Sequence, residues 1–287
     1  MSIQKQSSET ALGTLFLRAL SCYEPDERIR GQDHLAKLFL PAERKIKLDY
    51  EAYRSVALRR VKAGVYYYVI ARTAYFDQIF LDGLKNAVPQ ILILGAGYDS
   101  RAYRYENLFG DTKIFEIDAS YTQKDKIALL RQNHIDFHHV RFVPIDFEKD
   151  DLAKTLLQNG FEEQKRSLFL WEGVTLYLTR EAMRRTLGSI ASVAKDQSVL
   201  AFDYLNFDPG ENQIIKKDEV IQVGMNEDEM AALAGEYGFS AEENLNPHEI
   251  EKKYLTGLNG EIIGETNQAM NFIKLQYHFL SSQFSVY

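Results

Sequence analysis

Residues 91–101 of the chain read Ile-Leu-Ile-Leu-Gly-Ala-Gly-Tyr-Asp-Ser-Arg, and this stretch decides the fold. Four apolar residues without polar alternation are typical of a parallel strand that is covered on both faces. Gly95 and Gly97 follow at once, and glycines let a backbone turn sharply and approach a ligand without a Cβ between them. The third glycine of a dinucleotide fingerprint is missing, because position 100 is serine. The stretch predicts a strand that runs into a ligand-binding loop.

An acid follows this loop at a characteristic distance. The next predicted strand ends Phe-Glu-Ile-Asp, and its last residue, Asp118, lies 21 residues after Gly97. An acid at about this spacing binds the ribose hydroxyls in nucleoside-binding α/β folds. The loop and Asp118 together predict a nucleoside at the carboxyl edge of the sheet. They leave NAD, FAD and S-adenosylmethionine open.

The pattern around this site predicts a doubly wound α/β sheet. Residues 1–88 have helical periodicity and form a predicted N-terminal cap. After Pro89, short apolar strands alternate with amphipathic helices, as expected for such a sheet in residues 89–287. The predicted strands are Gln90–Leu94, Lys113–Ile117, Val140–Ile145, Ser167–Trp171, Ser198–Tyr204 and Asn271–His278. Polar, irregular stretches predict a lid-like insertion around residues 206–260.

Helix caps are also visible in the sequence. Thr179 can cap a helix whose apolar stripe includes Met183 and Leu187. Asn226 with Glu229 resembles a capping box, a pairing that marks the first turn of a helix. Two further helices are therefore expected after residue 178.

Composition limits the class of protein. The chain has 287 residues and a formal net charge of −7, which argues against binding nucleic acid through bulk neutralisation of phosphates. Cys22 is the single cysteine, so an internal disulfide or a cysteine-cluster metal site is not expected. The start is polar, and no uncharged apolar run approaches the roughly 20 residues that a membrane helix needs. A cytoplasmic protein that binds neither membranes nor nucleic acid is expected.

Two later strand ends carry acids at the same predicted edge. Asp146 follows the third strand, where it would bond an adenine amino group while Phe147 lies against the ring. Glu172 follows the fourth strand, where a methyl donor and its acceptor would meet in a methyltransferase. Either acid alone would equally suit a helix N-cap or a solvated loop. Ligand-compatible residues at four strand ends favour the binding interpretation.

Four motifs together resemble the leucine carboxyl methyltransferase family. They are Arg72-Thr-Ala-Tyr-Phe-Asp77, Leu94-Gly-Ala-Gly-Tyr-Asp-Ser-Arg101, Phe115-Glu-Ile-Asp118 and Trp171-Glu-Gly173 with Tyr177-Leu178. The resemblance runs from about Thr14 to Ala194, and one departure is Ser100, where threonine is usual. It implies the class I S-adenosylmethionine-dependent methyltransferase fold of seven strands, the seventh of them antiparallel, a place that Asn271–His278 would take.

The resemblance also implies the cofactor residues. Arg72 would pair with the carboxylate of the cofactor's methionine portion, a role that suits a bidentate guanidinium. Arg18 is similar to a basic residue on the N-terminal helix that also reaches the cofactor, on its spacing to Asp33-His34-Leu35-Ala36. The full set implied by the resemblance is Arg18, Arg72, Gly95, Ala96, Gly97, Asp118, Asp146, Phe147 and Glu172.

The expected activity is S-adenosylmethionine-dependent O-methylation of a carboxylate or hydroxyl of a small molecule, such as a polyketide or an aromatic acid. Tyr177 would line the acceptor pocket, or else pack the following helix. No metal is expected; His134, His138 and His139 fall at a helix-to-strand junction away from the ligand loops. Three alternatives remain: a protein C-terminal carboxyl methyltransferase, an NAD-dependent oxidoreductase, and a non-catalytic partner protein that keeps the fold.

Overall fold

A computed structural model describes residues 9–147, 149–207, 215–216, 219–220 and 224–279. Residues 9–85 are mostly helical, and the longest of these helices crosses one face of the sheet that follows. These helices are α1 (Glu9–Ser21), α2 (Ala36–Phe39), α3 (Ala42–Lys47), α4 (Glu51–Arg60) and α5 (Ala63–Lys85).

Strands and helices then alternate to the end of the described chain. In order they are β1 (Gln90–Leu94), α6 (Arg101–Arg104), β2 (Lys113–Asp118), α7 (Ser120–Gln132), β3 (Val140–Pro144), α8 (Leu152–Gln158), β4 (Ser167–Trp171), α9 (Arg180–Val193), β5 (Val199–Leu205), β6 (Ile215–Lys216), β7 (Glu219–Val220), α10 (Glu227–Glu236), β8 (Phe239–Leu245), α11 (Pro247–Tyr254) and β9 (Met270–Tyr277). Short 3₁₀ turns lie at Glu106–Leu108 and Thr175–Tyr177.

Seven strands form one mixed sheet in the order β3-β2-β1-β4-β5-β9-β8, while β6 and β7 pair separately. Strands β1 to β5 run parallel to one another, and β9 runs antiparallel to both β5 and β8. The chain order reverses between β1 and β4, and ligands of open α/β sheets bind at such a switch point, beyond the carboxyl ends of the strands. The predicted doubly wound sheet with an antiparallel strand near residues 271–278 is confirmed.

Two buried clusters cover the faces of the sheet. One contains side chains of α1 and α5, including Tyr75 and Phe76 of α5, together with the apolar side chains of β1 that face these helices. The other lies under α8, α9 and α10 and contains Trp171 and Met183. All five residues of β1 and of β4 are buried, which explains why neither strand alternates apolar with polar residues.

The caps after residue 178 form as predicted. Thr179 caps α9 because its side chain accepts a hydrogen bond from the amide of Ala182. Asn226 and Glu229 form a complete capping box at the start of α10. Helix start signals are local, so the sequence alone could identify them.

The expected insertion differs from the structure in its second half. Strand β8 pairs with β9 inside the main sheet, and α10 and α11 flank it, so residues 224–260 contribute regular elements rather than an irregular excursion. The sequence of β8, Phe-Ser-Ala-Glu-Glu-Asn-Leu, is polar because this strand is at the edge of the sheet and much of it is exposed. Most of residues 208–223, the first half of the predicted lid, lie outside the described residues. The boundary between cap and sheet at residue 88 stays a prediction.

Within the described ranges, no helix is long and apolar enough to cross a membrane.

Candidate functional site

A cavity of about 660 Å³ opens at the carboxyl edge of the sheet. Its walls come from α1, α5 and the loops that follow β1, β2, β3 and β4, which meet there because parallel strands end at one edge. Every residue singled out from the sequence lines this cavity: Arg18, Arg72, Gly95, Ala96, Gly97, Asp118, Asp146, Phe147, Glu172 and Tyr177.

The glycine loop depends on the absence of side chains. Gly95 and Gly97 have φ of +67° and +44°, in the left-handed region that favours glycine. A Cβ on Gly95 would lie 2.4 Å from Cγ2 of Val174, whereas one on Gly97 would have no contact closer than 3.8 Å. The loop after β1 therefore approaches the loop after β4 closely at Gly95 and leaves open space at Gly97.

Asp118 ties the first two loops together. Its Oδ2 accepts a hydrogen bond from the amide of Gly97 at 2.5 Å, and its Oδ1 accepts one from the amide of Ala119 at 2.6 Å. Burial raises the pKa of Asp118, although these two amides oppose the rise. The carboxylate is therefore fixed in direction and stands at the cavity wall beside the glycine loop.

Two arginines hold Glu172 from either side. Arg72 Nε lies 3.0 Å from Glu172 Oε1, and Arg101 Nη1 lies 2.8 Å from Oε2. Arg101 is fully buried and also pairs with Asp77 and Asp99. Burial disfavours the charge of Arg101, but the surrounding carboxylates, Asp99 first, raise its pKa well above the ordinary value. Because both oxygens of Glu172 are engaged, this residue has little capacity left to act as a base.

A buried aspartate that the sequence analysis missed completes this network. Asp203 in β5 is fully buried, and its Oδ2 accepts from Arg72 Nη1 at 3.2 Å and from the hydroxyl of Tyr68. Its Oδ1 accepts from the amide of Gly173 at 2.6 Å. Burial and then Asp203 raise the pKa of Tyr68 well above its usual range, so the phenol keeps its proton. An aspartate in the middle of a strand is itself a signal, since carboxylates are almost never fully buried unless paired.

Arg18 contacts the segment around Asp33, whose spacing to Arg18 was the basis for naming this arginine in the sequence. Its Nη2 donates to the carbonyl of Tyr98 at 2.6 Å, and its Nε lies 3.3 Å from Asp33 Oδ2. Asp33 also accepts from the hydroxyl of Ser100 at 2.5 Å. The N-terminal cap is thus bonded directly to the loop after β1, and Arg18 reaches the cavity from the side of α1.

The residues after β3 lie at another wall of the cavity. Asp146 is half-buried, and its Oδ2 accepts from Lys149 Nζ at 2.6 Å. Phe147 is also half-buried and packs against the cluster under α8 and α9. Both residues have side chains at the cavity, but Asp146 has a lysine partner of its own that the sequence analysis did not anticipate.

The remaining part of the cavity wall is mostly apolar. Tyr177 belongs to the 3₁₀ turn after β4 and is half-buried. The other residues of this part are Val65, Val69, Val174, Leu176, Met270, Thr14 and Asn267. None of the three histidines noted in the sequence lines the described cavity, and His139 instead contacts the carbonyl of Ala102 at 2.7 Å.

Residues 11–191 match the sequence profile of the family described as leucine carboxyl methyltransferase. A relative from Mycolicibacterium smegmatis, provisionally assigned as an S-adenosyl-L-methionine-dependent methyltransferase, is 29% identical over 72% of this chain and 66% of its own length. A provisionally assigned methyltransferase of the same kind from Bacillus subtilis, YktD, is 32% identical over 47% of this chain. The match covers 44% of the Bacillus relative, so the chain spans about half of that protein.

A solved structure of a provisionally assigned methyltransferase from Thermobifida fusca has the same fold. It superposes with a TM-score of 0.55 over 92% of this chain and 94% of its own, at 12% sequence identity. At this identity the similarity concerns the fold alone.

Proposed function

Because the chain belongs to the leucine carboxyl methyltransferase family, we propose that it binds S-adenosylmethionine and methylates an oxygen of a small molecule. The observation that carries this proposal is the cavity at the switch point of the sheet, where Arg72, the glycine loop, Asp118 and Glu172 form adjoining walls. Relatives provisionally assigned as dependent on S-adenosylmethionine support the same cofactor.

The residues present suit this cofactor. The space over Gly97 accepts a ligand where a side chain would otherwise project. Asp118 is a fixed carboxylate that would accept hydrogen bonds from the ribose hydroxyls, and Asp146 would accept one from the adenine amino group. At the opposite side, Arg72 would bind the carboxylate of the amino-acid portion.

The chain's task in such a reaction is alignment and exclusion of water. When bound, S-adenosylmethionine supplies an electrophilic methyl group on a positively charged sulfur. The apolar wall that includes Val65, Val69, Leu176 and Met270 would hold the acceptor dry and in line with that group. Tyr177 adds a hydroxyl to the same wall and would orient the acceptor oxygen.

The acceptor oxygen is best supplied already ionised. Glu172 is engaged by two arginines, no histidine is among the described cavity residues, and Asp118 and Asp146 have roles toward the cofactor in this proposal, so no side chain is assigned as a general base. A carboxylate needs none, because it is ionised at neutral pH. This favours a carboxylate of a small molecule, with a hydroxyl as the second class of acceptor and the carboxyl terminus of a protein as the third.

The proposal is tested by titration and by product chemistry. Calorimetry should show binding of S-adenosylhomocysteine and none of NAD, and the reverse would support an oxidoreductase. The protein is then incubated with methyl-labelled S-adenosylmethionine and a panel of aromatic acids and phenols. Label released as methanol by mild alkali indicates a methyl ester, whereas alkali-stable label indicates an ether. Binding of the cofactor without labelled product from any acceptor or cell extract would favour a non-catalytic partner protein.

A further inference from the structure

Asp203 lies one layer behind the wall of the cavity. It does not line the cavity itself, but Tyr68, Arg72 and Gly173 do, and all three are hydrogen-bonded to its side chain. Its backbone carbonyl also accepts a hydrogen bond from the hydroxyl of Thr175 at 2.5 Å. One buried residue thus connects α5 with the loop after β4.

The network fixes the orientation of one guanidinium. Nη1 of Arg72 donates a hydrogen bond to Asp203, and its Nε lies at an ion-pair distance of 3.0 Å from Glu172 Oε1 without hydrogen-bond geometry. A guanidinium is planar and carries its donors in a rigid fork, so these two contacts determine where the third nitrogen points. The Nη2 atom makes no hydrogen bond with the residues that the structure describes, while Arg72 as a whole lines the cavity.

Charge alone does not explain this arrangement. Burial disfavours the charge of Arg72, but Tyr68, Glu172 and Asp203 together raise its pKa above the ordinary value. A single carboxylate would be enough to pair with a buried arginine. Asp203 is a second one, and it holds a different nitrogen from the one that Glu172 holds.

We propose that Asp203 is a positioning residue, which holds Nη1 of Arg72 so that Nη2 binds the carboxylate of the cofactor's amino-acid portion. This inference rests on the proposed function, since it assumes that the cofactor carries such a carboxylate. It assigns a binding role to a residue that makes no contact with the ligand. The alternative is that Asp203 only stabilises the fold.

The two roles are separated by a pair of ligands that differ in the amino-acid portion. S-Adenosylhomocysteine has the carboxylate, and 5′-methylthioadenosine has the same adenosine and thioether without it. In Asp203→Asn, which keeps the shape and removes the charge, calorimetry should show affinity for S-adenosylhomocysteine reduced by about tenfold, roughly 1.4 kcal/mol. Affinity for 5′-methylthioadenosine should change by less than about twofold.

Asp118→Asn is the matched comparator, because it removes the same charge at the ribose. Asp118→Asn should lower the affinity for both ligands by the same factor. Equal losses for both ligands in Asp203→Asn would overturn the positioning role, and so would unchanged affinity for both. Failure of the wild-type protein to bind S-adenosylhomocysteine would instead contradict the proposed function.

A second measurement needs only S-adenosylhomocysteine. In an Arg72→Gln background, Asp203→Asn should lower the affinity for S-adenosylhomocysteine by less than about a further twofold, because the guanidinium that Asp203 positions is already gone. If the affinity loss of the double variant equals the product of the losses of the two single variants, the inference is overturned. Thermal unfolding of each variant shows that the binding data come from folded protein.

Discussion

Asp118→Ala is the substitution whose effect can be reasoned most fully from the structure. It removes the carboxylate that faces the cavity between the amides of Gly97 and Ala119. A hydrogen bond to a charged group contributes about 1.5–3 kcal/mol net. Two ribose hydroxyls compete for oxygens that already accept one amide each, so we count the equivalent of one such bond. The expected loss is about 10- to 150-fold in affinity for S-adenosylhomocysteine.

The fold should survive this change. Burial raises the pKa of Asp118, so this group's contribution to stability is present at low pH and is lost as the pH rises through the raised pKa. Removing the carboxylate at pH 7.5 therefore takes away no favourable charge term, and the two amides it leaves border a cavity that water enters. Thermal unfolding should shift by only a few degrees.

The assay is calorimetric titration at pH 7.5 beside Asp125→Ala, which removes an exposed acid from α7, the helix that follows Asp118. Asp125→Ala should bind as the wild type does. If folded Asp118→Ala binds S-adenosylhomocysteine within about twofold of the wild type, Asp118 is not the ribose acid.

Three further predictions concern the loop, the core beneath it and the acceptor wall. Gly95→Ala should lower the melting temperature by several degrees, because its Cβ would lie 2.4 Å from Val174 and a left-handed residue costs about 1–2 kcal/mol; a shift no larger than that of Gly97→Ala would contradict the close approach. Burial raises the pKa of Glu116 from 4.5 to about 7, so the free energy of unfolding should fall as the pH rises through that interval. Urea unfolding of Glu116→Gln should show a free energy of unfolding that depends less on pH than that of the wild type. The same pH dependence in both proteins would refute this. Tyr177→Phe should raise the acceptor's KM and leave the affinity for S-adenosylhomocysteine within about twofold, whereas weaker cofactor binding would place this hydroxyl elsewhere.

The sheet could be predicted from the sequence because its inner strands are buried on both faces. Gln90–Leu94 and Ser167–Trp171 each contain four consecutive apolar residues, and the structure gives these strands the predicted bounds. The edge strand Phe239–Leu245 could not be found in this way, since its composition is polar. A strand is recognised in a sequence by the pattern of its buried apolar residues, and this edge strand has too few buried residues to give such a pattern.

Apart from Arg18 and Arg72, which the family resemblance implied, the candidate site was predictable only where its residues follow strands. Gly95, Asp118 and Glu172 stand directly at strand ends, and the topology of a parallel sheet brings such positions to one edge. Asp203 lies inside β5 and Arg101 begins α6, and their importance comes from partners more than twenty residues away in sequence. Spacing carries no information about pairs of that kind until the fold is known.

We propose that this chain transfers a methyl group from S-adenosylmethionine to oxygen. The most direct measurement is mass spectrometry of a reaction with methyl-deuterated S-adenosylmethionine, the wild-type protein and the panel of acids and phenols. We predict S-adenosylhomocysteine together with one acceptor that carries the deuterated methyl group on oxygen, and less of both with Asp118→Ala when the cofactor concentration lies below that variant's Kd. A labelled methyl group on nitrogen or carbon, or no transfer at all by protein that binds the cofactor, would contradict it.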